Sequence, residues 1–193
     1  MRTYAVLSVV ALQLLPACAA TIPPVEVTRF HVSDHIAPAA IATTPAAGQN
    51  GEAIEYRTYA LAVSRELSRL GFTEGENASY TAEIAYSRDA RERVAKSSPI
   101  TIGIGGGSFG SHVGVGLGTS FGIGGDKSRQ TITSRLDVRI KRKIDGVVVW
   151  EGRAQTEAPS NAPAAQPGLA ADKLSRALFS GFPGESGKTI RVP

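Results

Sequence analysis

Three histidines, one cysteine and two glycine-rich runs are the residues in this chain whose types could do chemistry. His31 and His35 stand four apart around Asp34. On a helix that spacing aims two imidazoles at one zinc ion, with a Glu after the first acting as general base. Val32 holds the Glu position, and the segment reads as a strand running into a loop, so surface histidines are expected. His112 sits inside a glycine run with no acid nearby. A Ser-His-Asp triad assembles from distant residues and so stays open, but no G-x-S-x-G elbow is present. Gly105 to Gly110 fits the dinucleotide pattern G-x-G-x-x-G, which works only between a strand and a helix. Here another glycine-rich strand pattern follows. Gly184-Glu185-Ser186-Gly187-Lys188-Thr189 has the tail of a phosphate loop, yet Phe182 stands where its first glycine belongs. Four residues follow Thr189, too few for the helix whose positive end would face a phosphate. No catalytic residue, cofactor or metal ligand is assigned.

Cys18 is the exception. Arg2 supplies a basic start, and Ala5 to Leu15 is apolar except for Ser8 and Gln13. That run is short of the ~20 residues a membrane-spanning helix needs and suits a signal-peptide core. It ends in Leu15-Pro16-Ala17-Cys18, which resembles the bacterial lipobox: Leu three before the cysteine, a small residue before it, then the acceptor thiol. The motif implies diacylglycerol on the Cys18 sulfur, cleavage before Cys18 and acylation of the new amino terminus. Two or more acyl chains anchor stably where one does not. As the only cysteine, Cys18 forms no disulfide within the chain. Ala17-Cys18-Ala19 also fits the small-x-small rule of ordinary signal peptidase, which would release a soluble protein. Ala19, where Asp favours inner-membrane retention, points to the outer membrane. Asn77-Ala78-Ser79 is a glycosylation sequon that a bacterial envelope protein would not normally use.

The remaining composition suits one globular domain, with 20% charged and 42% hydrophobic residues. Without Arg2 the chain carries 20 Lys+Arg against 17 Asp+Glu, or +3. That excess is too small and dispersed for nucleic acid. Its densest run is Arg139, Lys141, Arg142 and Lys143, which reads as a solvated strand end.

Periodicity places the elements. Residues 18–24 read as a tether and Val25 to Val32 as a strand; residues 37–50, small and charge-free, read as a loop. Ala53, Tyr56, Ala60, Val63, Leu67 and Leu70 form one helical stripe, with Asn50 as N-cap and Gly71 as stop. Tyr80 to Tyr86 is a short strand. Residues 97–125 lack Asp, Glu, Lys and Arg and hold 11 of 21 glycines. Ile100, Ile102 and Ile104, then Val113, Val115 and Leu117, predict a glycine-rich hairpin with one bare face open to close approach. In the next hairpin, a three-residue loop at Ile144-Asp145-Gly146 pairs Ile140 with Trp150 and Val138 with Gly152. It also sets Arg139 against Glu151 and Asp137 against Arg153, whereas a two-residue loop would mix the faces. Leu169 to Phe182 is a second amphipathic helix stopped by Pro183, with Ala170, Leu174, Ala177, Leu178 and Gly181 on one face. Thr189 to Val192 is a last strand.

In this order the elements resemble the bacterial lipoproteins of domain-of-unknown-function family 4136. The resemblance rests on the Cys18 lipobox, the strand near Phe30, Leu70-Gly71-Phe72, the YTAEIAY strand, the glycine-rich hairpin, Trp150-Glu151-Gly152 and Phe182-Pro183. It implies an α+β domain on the periplasmic side of an envelope membrane and supplies no reaction. The expectation is residues 1–17 as signal peptide, 18–24 as lipidated tether and 25–193 as one α+β domain. That domain is expected to have an antiparallel sheet of five to six strands and two helices on one face. The expected role is a non-enzymatic binding or scaffolding module, held at the outer membrane by lipid on Cys18 and meeting an envelope protein at the glycine-rich hairpin. The rival readings are a periplasmic hydrolase gathering His31, His35 or His112 with a carboxylate, and a secreted soluble binding protein.

Overall fold

The computed structural model describes residues 23–75, 77–92 and 130–193. Cys18, the glycine-rich run, its Gly105–Gly110 motif and His112 lie outside them. The chain runs β1 (Val25–His31), β2 (Ala40–Pro45), α1 (Ile54–Arg69), β3 (Thr73–Glu74) and β4 (Tyr80–Glu92). It continues as β5 (Gln130–Arg142), β6 (Val148–Pro159), a 3-10 turn (Pro163–Ala165), α2 (Pro167–Phe179) and β7 (Thr189–Val192). The seven strands form one sheet in the order β3-β2-β4-β5-β6-β1-β7, with α1 and α2 packed on a shared face.

The sheet is mixed, which corrects the antiparallel expectation. β2 runs parallel to both β3 and β4. It arises within residues 37–50, whose small residues and prolines read as a loop, and Ile41 (1% exposed) fixes it to the core. From β2 the chain crosses over through α1, which returns it to the end where β2 began. A helical crossover of this kind joins parallel strands.

Alternation decides which side chains enter the core. Val25 and Val27 of β1, Ala82 and Ile84 of β4, Leu136, Val138 and Ile140 of β5, and Trp150 and Ala154 of β6 are all buried beneath the helices. Leu67 and Val63 of α1 and Leu174 and Leu178 of α2 meet them. Each such large aliphatic contributes about 1.5–3 kcal/mol when fully buried. Trp150 lies in an aromatic group with Phe179 (centroids 5.3 Å, stacked) and Phe182 (5.3 Å, tilted), and its indole N–H donates to the Pro183 carbonyl at 3.0 Å.

The β5–β6 register is as the charge and core pattern predicts: Ile140 faces Trp150, Val138 faces Gly152, Arg139 faces Glu151 and Asp137 faces Arg153. It is reached by a different route from a three-residue loop. The Arg142 N–H donates to the Val147 carbonyl at 2.9 Å, so residues 143–146 form the loop, with Gly146 at φ +70°. A bulge between Ile140 and Lys141 then restores the phase.

Helix α1 ends as expected, with Gly71 at φ +91°. Its start differs. Ala53 is the N-cap and makes no side-chain bond, while Asn50 Oδ1 accepts from the Glu52 N–H at 3.0 Å in the turn before it. Tyr59 and Ala62 join the buried stripe beside Tyr56, Val63 and Leu67. Helix α2 stops at Phe179, a turn earlier than Phe182, and β4 extends to Glu92 rather than Tyr86.

Candidate functional site

β1 carries an arginine in phase with its two core valines, and this determines one polar cluster. Arg29 is 3% exposed. Its Nε donates to the Leu178 carbonyl at 2.9 Å and its Nη2 to the Ala177 carbonyl at 2.8 Å, so a guanidinium closes the free carbonyl end of α2. Burial lowers its pKa.

The segment after α2 wraps this end of β1. The Gly187 N–H donates to the Arg29 carbonyl at 2.8 Å, and the His31 N–H donates to Ser186 Oγ at 3.2 Å. His31 Nε2 lies 3.0 Å from the Gly184 carbonyl, which can only accept, so Nε2 carries the proton. Nδ1 faces Asp34 at 3.7 Å, and the ring is 4% exposed while Asp34 is fully exposed. The apparent phosphate loop is therefore a strap, with Gly184 and Gly187 at positive φ turning it around β1. His31 serves that strap, and its closest acid lies in the adjoining turn. Among the described residues, no three His, Cys, Asp or Glu side chains converge as a metal site requires.

A second polar cluster joins α1, β4 and the 3-10 turn. Arg88 Nη1 donates to Glu55 at 3.1 Å and Nη2 to the Ala165 carbonyl at 2.6 Å. Tyr59 and Tyr86 stack beside them, centroids 4.7 Å apart at 16°. Burial pushes the Tyr59 phenol up to about 12, with Arg88 opposing and Glu55 adding to the shift. Among the described residues its hydroxyl makes no hydrogen bond of ordinary length, and the nearby Ser134 hydroxyl offsets the rise only weakly. A phenol held so far from neutrality keeps its proton, so it is poorly matched to general-base work near pH 7.

The face of the sheet opposite the helices is laced with ion pairs. Arg153 pairs with Asp137 (2.5 Å), Arg139 with Glu151 (3.6 Å), Lys141 with Glu83 (2.6 Å) and Arg191 with Glu26 (3.0 Å). Together with Arg142–Asp145 (3.0 Å), these neutralise three of the four cations in the basic run at residues 139–143. Exposed pairs of this kind are worth roughly 0–1 kcal/mol each and keep the face wet.

Register also fixes what lies at each end of the sheet. β1 starts at Val25, directly after Pro24, and runs antiparallel to β6, with Glu26 opposite Gln155. Gln155 faces Arg135, and Arg135 faces Ser87. Pro23, Glu92 and Gln130 therefore share one end of the sheet, and the loop at residues 143–146 lies at the other. Among the described residues, no helix is long and apolar enough to cross a membrane.

Sequence reasoning missed Arg29, the Arg88–Glu55–Tyr59 cluster and Arg176 on α2, which is exposed and has no carboxylate partner among the described residues. The first had a signal: Arg29 keeps the two-residue phase of Val25 and Val27, which commits it to the core side. The other two depend on contacts between elements far apart in sequence.

The chain is 29% identical over 212 aligned residues to an uncharacterized protein of Zymomonas mobilis, covering 88% of this chain and 80% of that one. Among solved structures it is similar to a PelC dodecamer subunit from Paraburkholderia phytofirmans (TM-score 0.45, 11% identity, 84% of this chain and 99% of that one). A PDZ domain protein from Parabacteroides distasonis is also similar (TM-score 0.48, 13% identity, 88% of this chain and 39% of that one). The model of the domain of unknown function DUF4136 matches residues 28–184, from the first strand through both helices to the strap, and the chain belongs to that family.

Proposed function

We propose that this is a lipid-anchored envelope protein, held at the outer membrane through Cys18, whose domain binds or scaffolds another envelope component through its glycine-rich segment. The observation that carries the proposal is the shared end of the sheet. Pro23, where the tether joins, lies at the end where Glu92 and Gln130 lead into and out of the uncharged run. Four residues lie between Cys18 and Pro23, so the span is five residue steps, and an extended chain covers at most ~3.6 Å per step. A lipid on Cys18 thus keeps that end within about 20 Å of the bilayer surface. A partner meeting the glycine-rich segment then docks beside the membrane, where bare glycine backbone permits close approach and β-pairing.

The test is fractionation with crosslinking in a bacterial host. The full chain should sediment with the outer membrane, and a photo-crosslinker at Val115 should trap a discrete envelope protein. Cys18→Ala should move the chain to the soluble fraction. Deleting residues 100–124 should abolish the crosslinked species made from a second probe at Glu92. An unchanged partner set in the deletion would mean the segment is structural only, and a soluble wild-type chain would favour the secreted binding protein.

A further inference from the structure

Helix α2 and the edge strand β7 enclose an open cleft of ≈ 760 Å³ lined by Pro163, Ala164, Leu169, Lys173, Arg176 and Val192. β7 ends the strand order, so its side away from β1 has no strand neighbour among the described residues. In an antiparallel pair, alternate residues turn their N–H and C=O groups away from the partner. Such an edge is a template for one more strand. Ile190 and Val192 oppose Val27 and Val25 and so stand on the helix face, beside the cleft; Thr189 and Arg191 point to the open face.

The charges on the cleft wall are unequal in their freedom. Asp172 is taken by Arg65 of α1, and the Lys173 ammonium donates to the Pro23 carbonyl. Arg176 is exposed and has no carboxylate partner among the described residues. Leu169 is 50% exposed beside it, an apolar side chain left at the mouth of an apolar cleft.

We infer that this cleft takes an extended peptide segment of a partner protein. It adds as a strand to β7, sets an aliphatic side chain against Leu169 and Val192, and places a carboxylate on Arg176. An edge strand flanked by a helix gives such a ligand main-chain pairing on one side and a side-chain pocket on the other. Only residues on one face of the added strand reach the cleft, so the aliphatic and acidic residues lie an even number of positions apart. The inference goes beyond the anchored-scaffold reading and stands whether or not Cys18 is acylated.

The test is a random-peptide display library selected on the purified full chain carrying Cys18→Ala. Enriched peptides should share an aliphatic residue and an Asp or Glu at even spacing. They should protect β7 amides from hydrogen exchange and lose about tenfold in affinity on Arg176→Glu. Changing the peptide acid to Lys should restore binding to the Arg176→Glu chain. No enrichment, or peptides bound equally by both chains, would overturn the proposal. So would β7 protection by phosphatidylglycerol vesicles with none by peptide, which would make the surface a membrane contact. Concentration-dependent protection of β7 without peptide would assign the edge to a second copy of the chain.

Discussion

A Cβ built on Gly152 would lie 2.4 Å from the Trp150 ring and 2.8 Å from Leu178 Cδ1, so the indole lies across bare backbone. Gly152→Ala should cost about 1–3 kcal/mol by overpacking, read as a lower urea midpoint in the fluorescence of Trp150, the only tryptophan. An unchanged midpoint would mean that α2 shifts freely. Tyr59 gives a prediction with a sign in pH. Its folded pKa is raised from 10.0 to about 12, so the folded state holds the phenolic proton more tightly than the unfolded chain does. The resulting stability is present below the unfolded pKa and fades as pH rises from about 10 to about 12, by roughly 2–3 kcal/mol. Tyr59→Phe should remove that part of the alkaline loss. Near pH 8 the substitution should be neutral or stabilising by about 1 kcal/mol, because the hydroxyl it deletes is buried with no hydrogen bond of ordinary length and only Ser134 near it. A marked loss at neutral pH would show that the hydroxyl is satisfied.

At the scale of elements, the β5–β6 hairpin makes a direct claim about pairing. Asp137 and Arg153 sit opposite each other at 2.5 Å, so a double-mutant cycle to Ala should give about 0.2–1 kcal/mol of coupling. Zero coupling, with Asp137→Ala alone harmless, would reduce the pair to a surface accident. This hairpin was legible because core alternation and opposite charges select one register. The loop itself was not, because a four-residue loop with a bulge and a three-residue loop give the same pairs further along the strands. β2 escaped notice for a different reason. Ala40 to Pro45 holds one large apolar residue, Ile41, and its partners β3 and β4 lie across a helix in sequence, so no hairpin turn announces it. Of the polar clusters, Arg29 could be read from phase alone. Arg88 with Glu55 and Arg176 beside β7 become visible only once the helices are docked.

At the scale of the molecule, one face of the sheet is covered by helices and the other by paired charges, while Pro23, Glu92 and Gln130 share an end. Under the proposed anchor at Cys18, that shared end would face the membrane and the 143–146 loop would lie away from it. The intact mass of the protein from the membrane fraction of a bacterial host, beside a Cys18→Ala variant, tests this most directly. The account predicts a chain starting at Cys18 with a triacyl increment that the variant lacks. An unmodified chain starting near Ala20 or Thr21 would contradict it and leave a soluble binding domain.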